Sequence, residues 1–190
     1  MKEIIEKHIA EHHAVLDELI HLIPHIEGVA STLVDALKNG KTIFWCGNGG
    51  SASDSQHLAG ELVGRYNGDR RPLKSIALNA DSAVMTCIVN DYGYEYIFSR
   101  QVEGLGEKGD VLVGITTSGN SQNVLNAFKV ANDKDMKTVG LLGKGGGQAA
   151  NLVHQSIIIP SNTTARIQEM HITIGHIFCD LIEERLNLKA

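Results

Sequence analysis

Several residue types that mark particular classes of protein are scarce in this chain of 190 residues. It has three cysteines, three prolines and 5% aromatic residues, and no apolar run approaches the ~18 residues that a membrane span needs. The cysteines form no CxxC pair and no disulfide framework, which fits a reducing cytosol. Basic charge is not in excess, because 17 Lys and Arg stand against 22 Asp and Glu. We therefore expect a cytoplasmic protein with neither a nucleic-acid nor a membrane partner.

The first forty residues have a helical pattern. Apolar residues recur there at roughly helical spacing, with Glu, Lys and His between them. Pro24 is expected to end this helix or to begin a second one, from about Ile26 to Leu37. Five of the nine histidines lie in this segment, and we interpret them as a polar stripe because no carboxylate or cysteine set converges on them. Residues 1–40 are predicted to be a helical extension used for oligomerisation, joined to a main domain at 41–190 in one structural unit.

After residue 40, short strands alternate with helices. The predicted strands are apolar runs rich in β-branched residues, at Thr42–Cys46, Ser75–Leu78, Val111–Thr116, Thr138–Leu142 and Ser156–Ile159. The predicted helices are Ser53–Arg65, Ser82–Val89, Tyr94–Leu105, Ser121–Asp133 and Thr163–Asn187. Such alternation implies crossover connections and a parallel sheet covered on both faces. The predicted fold class is therefore α/β, a three-layer αβα arrangement around a five-stranded parallel flavodoxin-like sheet.

Two loops that follow predicted strands have the composition of ligand-binding loops, which in parallel sheets lie beyond the carboxyl ends of the strands. The loop at 46–51 has three glycines and leads into a helix, so it is either a generic turn or a site for a ligand. The loop at 116–121 carries four hydroxyls in six positions. One hydroxyl suffices for a helix cap, so we favour anion binding. A third glycine-rich loop, at 143–147, is interpreted as a flexible connection.

Four segments carry a specific resemblance: CGNGGSASDSQHLAGELVGRY, VNDYGY, GITTSGNS and RIQEMHITIGH, in this order. Over essentially its whole length the chain resembles the phosphoheptose isomerases, which belong to the sugar-isomerase (SIS) domain group. The resemblance implies an aldose–ketose isomerase that converts sedoheptulose 7-phosphate to D-glycero-D-manno-heptose 7-phosphate. This is the first step towards nucleotide-activated heptose for lipopolysaccharide, capsule or other surface glycans. The resemblance also implies a homotetramer.

A candidate metal site begins with His57 and Glu61, which lie four residues apart and share one helix face. Such a pair is either an ordinary surface pair or two ligands of one divalent metal, with zinc well suited to them. The resemblance implies that Gln168 and His176 join them around one zinc ion per subunit. Those two residues are eight apart, or ~12 Å along a regular helix. Either the helix begins irregularly near Gln168 or different subunits supply the ligands, which argues modestly for an interface site.

The predicted chemistry passes through an enediol, which needs a base at carbon and an acid–base group at the oxygens. We assign Glu61 to the carbon and His176 to the oxygens. By resemblance, Asn90 and Asp91 contact sugar hydroxyls, although the local sequence indicates only a turn. The residues expected to contact the substrate are Asn48, Gly49, Gly50, Glu61, Asn90, Asp91, Thr116, Thr117, Ser118, Ser121 and Gln168. Arg65 is left open between a substrate cation and a structural partner, and Glu169 and His171 are expected to have packing or supporting roles.

Two other functions use the same kind of domain without catalysis. One is a binding module of the SIS type that associates with a replication initiator protein, and the other is a sensor of a sugar phosphate. Both would keep the hydroxyl-bearing loop at 116–121 without requiring the set of His57, Glu61, Gln168 and His176. The joint presence of these four residues favours the enzyme.

Overall fold

Five parallel strands form one sheet in the computed structural model, which describes residues 1–188. The strands are β1 (Ile43–Gly47), β2 (Ser75–Ala77), β3 (Val111–Thr116), β4 (Lys137–Leu142) and β5 (Gln155–Ile158). Their order across the sheet is β2-β1-β3-β4-β5, and every neighbouring pair is parallel. This is the flavodoxin-like order that the sequence predicts, with a topological switch point between β1 and β3.

The described residues form seven α-helices. They are α1 (Lys2–Glu18), α2 (Ile23–Lys38), α3 (Gly50–Val63), α4 (Ser82–Tyr92), α5 (Ser99–Leu105), α6 (Gln122–Asp133) and α7 (Thr164–Arg185). Of these, α2 to α7 contribute buried residues to the cores on the two faces of the sheet. Short 3₁₀ turns lie at Leu19–Leu22, Tyr94–Tyr96, Lys144–Gly146 and Ala149–Asn151. Within residues 1–188, every helix is too short or too polar to cross a membrane.

The strands send alternate side chains to two separate cores, as their two-residue period requires. Ile43 and Trp45 of β1 face a core shared with α2, α3 and α7. Phe44 and Cys46 face the opposite core, which contains residues of α4, α5 and α6. The predicted three-layer arrangement is therefore confirmed.

The two helices of the amino-terminal extension pack differently. Helix α2 buries residues such as Val29 and Leu33 in the same core as the sheet, whereas no residue of α1 is buried. Pro24 lies in the first turn of α2, where its missing N–H has no intrahelical partner to lose. The second helix therefore begins at Ile23, about a turn earlier than predicted.

Three further helix boundaries also differ from those predicted. Helix α3 begins at Gly50 rather than near Ser53, directly after Gly49, which has a φ of 59°. The predicted helix over 94–105 is broken into a 3₁₀ turn and α5. Helix α4 continues to Tyr92, because Gly93 with its φ of 100° ends it. Asn90 and Asp91 thus lie in the last turn of a helix and not in a turn between elements.

Candidate active site

The two candidate ligand loops open side by side at the switch point of the sheet. Strand β1 ends at Gly47, which pairs with Ile115 near the end of β3. Helix α3 begins just after the first loop and α6 just after the second. The free N–H groups of both helix starts are therefore at the same edge of the sheet, where parallel α/β folds bind anionic ligands.

The glycine loop is held in place by an amide pair. The side chains of Asn48 and Asn123 exchange two hydrogen bonds of 2.9 Å, and the hydroxyl of Tyr94 donates to Asn48 Oδ1 at 2.8 Å. Gly47 has no space for a side chain, since an added Cβ would lie 2.9 Å from Ile115 O. The Gln168 amide packs against Gly50 so closely that a Cβ there would lie 2.6 Å from Nε2.

Three hydroxyls converge in the second loop, hereafter the hydroxyl loop (residues 116–121). Thr116 Oγ1 lies 3.1 Å from Ser121 Oγ and 3.4 Å from Ser118 Oγ. Ser121 precedes α6 but makes no side-chain capping bond to it, and Ser118 Oγ accepts from Asn120 N at 3.1 Å. Capping is therefore not the role of these hydroxyls. Thr117 is half-buried in the same loop, outside this group of hydrogen bonds.

The third glycine-rich loop packs against the hydroxyl loop. Ala149 N donates to Gly119 O at 2.9 Å, and Gln148 N donates to Asn120 Oδ1 at 3.0 Å. A Cβ added at Gly119, whose φ is 65°, would overlap Gly146 O. Residues 143–147 were interpreted as a flexible connection; in the structure the backbone of Gly146 and Gly147 packs directly against the hydroxyl loop.

A cluster of two histidines and one carboxylate lies between α3 and α7. His57 Nε2 is 2.9 Å from His176 Nε2 and 3.3 Å from Glu61 Oε1. One ligand atom of each residue lies within 4.8 Å of the others. The two helices run side by side in the same direction, with Leu58 packed on Gly175. Two imidazoles and a carboxylate are a suitable donor set for a divalent metal such as zinc.

The other predicted residues are more dispersed. Helix α7 is regular from Thr164, so the irregular start that the ligand spacing allowed is not seen. Gln168 lies at the glycine loop, about two turns before His176. Asn90 and Asp91 are exposed; the Asn90 amide donates to Asp91 Oδ1 at 2.7 Å, and the Cys87 thiol donates to Asp91 Oδ2 at 3.7 Å.

Sequence reasoning missed two neighbours of the cluster. Asp54 lies one turn before His57 on α3. The pKa of its carboxyl is raised, because the effect of burial outweighs the opposing charges of His57 and His176. Its spacing from His57 was a signal that could have identified it. The ring of Tyr66 stacks on His176 with centroids 5.8 Å apart and planes at 22°. No local sequence pattern brings Tyr66 to that place.

His171 and Glu169 do not join the cluster. The buried His171 pairs its Nε2 with Leu142 O at 3.0 Å, and burial lowers its pKa to about 4, although that hydrogen bond opposes the shift. Glu169 accepts from Arg166 at 2.6 Å and lies 2.8 Å from His12, which ties α1 to α7. Arg65 is exposed just after α3.

The described chain therefore combines three converging hydroxyls at the switch point with two imidazoles and a carboxylate on α3 and α7, in an α/β fold that binds ligands at this edge of the sheet. The family model of the SIS domain matches residues 7–143. The chain belongs to the SIS domain family and, within it, to the phosphoheptose isomerases, as the following relatives indicate.

The similarity to phosphoheptose isomerases covers nearly the whole chain. The one from Nitratiruptor sp. is 52% identical over 185 residues, which is 97% of this chain and 99% of the relative. The one from Campylobacter jejuni is 49% identical, over 97% of this chain and 99% of the relative. The solved structure from Neisseria gonorrhoeae is 41% identical with a TM-score of 0.92, covering 96% of this chain and 98% of that one.

Proposed function

We propose that this protein interconverts sedoheptulose 7-phosphate and D-glycero-D-manno-heptose 7-phosphate, as an aldose–ketose isomerase. The observation that carries the proposal is the cluster of His57, Glu61 and His176 on α3 and α7, since α3 begins at the glycine loop of the switch point where the hydroxyl loop also opens. Relatives of about 50% identity that bear the name phosphoheptose isomerase support the substrate class. The product is the first intermediate towards the nucleotide-activated heptose of surface glycans.

The reaction moves one proton between C1 and C2 of the sugar and another between its oxygens. Glu61 is the base at carbon, and its carboxylate is one-quarter exposed beside His57. His176 exchanges protons with the oxygens, for which an imidazole is suited near neutral pH. Both groups project into one small space, so the two transfers occur without reorienting the sugar.

The phosphate end of the sugar binds at the hydroxyl loop. Thr116, Ser118 and Ser121 already converge on one another, and the start of α6 adds backbone N–H groups. Thr117, Asn48, Gly49, Gly50 and Gln168 complete this side of the proposed substrate site. Binding at a distance from C1 and C2 holds the reacting carbons at Glu61.

The cluster also fits a zinc ion, one per subunit. His57, Glu61 and His176 would hold it, and the family resemblance adds Gln168 as a fourth ligand. When bound, zinc would polarise the oxygens at C1 and C2. We expect elemental analysis to find about one zinc per chain, and His57→Ala to lower that occupancy.

We also propose a homotetramer with active sites between subunits. Helix α1 leaves Ile5, Ile9 and Leu16 exposed at helical spacing and buries none of its residues. Among the residues of α4, Ile88 alone is buried, while the same helix presents the exposed Asn90 and Asp91. A second copy is the readiest cover for both helices, and the resemblance supplies the number four.

Incubation of the zinc-loaded protein with sedoheptulose 7-phosphate tests the activity. We expect an aldose phosphate to form, identified by chromatography against the authentic heptose phosphate. Unphosphorylated sedoheptulose is the matched control. It should turn over far more slowly, because it lacks the phosphate that the hydroxyl loop is proposed to bind. A folded, zinc-loaded protein that forms no aldose would overturn the proposal and favour a binding module.

A further inference from the structure

The segment that follows α3 is tied to α7 by a buried ion pair. Arg70 and Glu183 have side chains that are 1% and 0% exposed, and Arg70 Nε donates to Glu183 Oε1 at 2.9 Å. A buried pair of charges persists only where further hydrogen bonds satisfy both groups. Both Arg70 and Glu183 make such further hydrogen bonds. Arg70 bonds to the end of α3, and Glu183 bonds to residues 66–68.

Arg70 holds the last turn of α3. Its Nη2 donates to Glu61 O at 2.7 Å, and its Nη1 donates to Leu62 O at 2.8 Å and to Gly64 O at 3.0 Å. The last carbonyls of a helix have no partner within the helix. Arg70 therefore donates to these carbonyls, sharing Leu62 O with the N–H of Leu73, and fixes the turn from which the Glu61 side chain projects.

Glu183 holds the next segment of the chain. Its carboxylate accepts from the backbone N–H groups of Tyr66 at 3.0 Å, Asn67 at 3.0 Å and Gly68 at 3.3 Å. Burial alone would raise the pKa of Glu183, but these N–H groups and Arg70 outweigh it and lower the pKa overall. The carboxylate therefore stays charged, and residues 66–68 are fixed on the surface of α7.

This anchoring sets the Tyr66 ring against His176. Glu183 lies seven residues after His176, so the two side chains are about two turns apart on one face of α7. The Tyr66 ring stacks on the His176 ring, with 5.8 Å between centroids and 22° between planes. The Nε2 atom of His176 points to His57 at 2.9 Å. The Tyr66 ring thus packs on one face of the His176 imidazole, while Nε2 of His176 remains directed at His57.

We propose that Tyr66 is a positioning residue for His176, and that the Arg70–Glu183 pair sets both Tyr66 and the turn that carries Glu61. This inference rests on the proposed function, in which His176 exchanges protons and binds metal. Its physical basis is that the stacked Tyr66 ring restricts the side-chain rotamers of His176. Without a ring against its face, His176 samples other rotamers, and both metal binding and proton transfer lose their preorganised partner.

Two substitutions at Tyr66 separate the ring from the hydroxyl. Tyr66→Phe keeps the stacked ring and should retain kcat and metal affinity within about threefold. Tyr66→Leu removes it and should lower kcat about 10–100-fold, with KM for sedoheptulose 7-phosphate changed less than about threefold. Zinc affinity, measured on the apoprotein by competition with a chromophoric chelator, should fall about tenfold or more. The exposed Tyr96→Leu is the matched control and should behave as the unmodified protein.

Folding and function can be told apart in this design. Circular dichroism and thermal melting show whether Tyr66→Leu is folded, and zinc affinity needs no substrate, so it tests the inference even if the unmodified protein turns over nothing. The proposal is overturned if folded Tyr66→Leu matches Tyr66→Phe in zinc affinity and kcat. It is also overturned if Tyr66→Phe is as damaged as Tyr66→Leu. Glu183→Gln, where it folds, should weaken zinc binding in the same direction as Tyr66→Leu.

Discussion

Among single residues, Glu61 carries the most of the proposed chemistry. Glu61→Gln is nearly isosteric and should leave the fold intact while removing the base at carbon. Loss of a general base is typically worth ~10²–10⁴ in rate, so kcat with sedoheptulose 7-phosphate should fall by that factor. Glu103→Gln, at an exposed position on α5, is the control for loss of a carboxylate. Activity of Glu61→Gln within a factor of two of the unmodified protein would exclude Glu61 as the base.

His171 should make the protein sensitive to acid. Its pKa is about 4 in the folded protein, against 6.5 for an unperturbed histidine. Between these values the unfolded chain binds a proton that the folded chain does not, so the free energy of unfolding falls as the pH falls from 6.5 to 4. The contribution lost over this window is about 3 kcal/mol. Urea unfolding at a series of pH values measures it.

The matched comparison for this effect is His171→Leu with His25→Leu. His171→Leu removes one of two donors to Leu142 O, which keeps the N–H of Ile159 at 2.9 Å, and should cost about 0.5–1.5 kcal/mol at pH 7. Its loss of stability between pH 6.5 and 4 should nevertheless be smaller than that of the unmodified protein. His25 is exposed, so His25→Leu is the control for replacing a histidine by leucine outside the core. Equal acid sensitivity of His171→Leu and the unmodified protein would contradict the assignment.

The residues of the site differ in how far the sequence alone can predict them. The spacing of His57 and Glu61 places them on one helix face, whereas His176 came from family resemblance. Tyr66 and Glu183 were not predicted, because they meet at a separation of more than one hundred residues and share no local pattern. Contacts of this kind are set by the packing of α3 and α7, which periodicity does not describe.

At the scale of elements, the strands were predicted closely because β-branched runs mark them. Predicted and observed bounds of β3 are the same, and those of β1 and β4 differ by one residue. Helix ends were predicted less well. Glycine was taken as a loop residue at position 50, yet it begins α3, because the preceding Gly49 has the positive φ that completes the turn. The 3₁₀ turn over 94–96 has no proline or glycine after it to mark the break.

The packing of the Gly146 backbone against the hydroxyl loop makes a specific prediction at Gly119. Gly119→Ala combines a positive φ with overlap on Gly146 O, whereas Gly145→Ala has a φ of 78° and no atom within 4 Å of the added Cβ. Both substitutions carry the backbone cost of about 1 kcal/mol. Gly119→Ala should be clearly less stable than Gly145→Ala and should bind phosphorylated sugar more weakly. Equal melting temperatures for the two variants would contradict the prediction, because they would mean that residues 146–147 move to admit the added methyl group at no cost in stability.

The hydroxyl loop should act through binding rather than through chemistry. Ser118→Ala and Ser121→Ala each remove one of three converging hydroxyls and should raise KM for the phosphorylated sugar. Each lost hydrogen bond to a charged group is worth about 1.5–3 kcal/mol, or roughly 10–100-fold in affinity. The exposed Ser53→Ala is the control. Unchanged affinity in both loop variants would remove residues 116–121 from the phosphate site.

At the scale of the whole molecule, the residues proposed for the site lie in two separate places of one chain. The cluster of His57, Glu61 and His176 is formed within one chain, so these residues do not need a neighbour to meet. Asn90 and Asp91 are exposed on α4 and contact none of the cluster residues in the described chain. If they bind sugar hydroxyls, as the resemblance implies, a neighbouring subunit is the way to bring them to a site.

Mixing two inactive variants tests this arrangement. Light scattering of the unmodified protein should first give four chains of 20.5 kDa, about 82 kDa in all. Glu61→Gln chains reassembled with Asp91→Asn chains should then regain activity, because some sites combine an intact cluster with an intact neighbour. Glu61→Gln reassembled with His176→Ala is the control and should stay inactive, since both changes fall in the same chain's cluster. A monomeric mass with full activity would refute the assembly. Activity regained only in the control mixture would move the cluster itself to the interface.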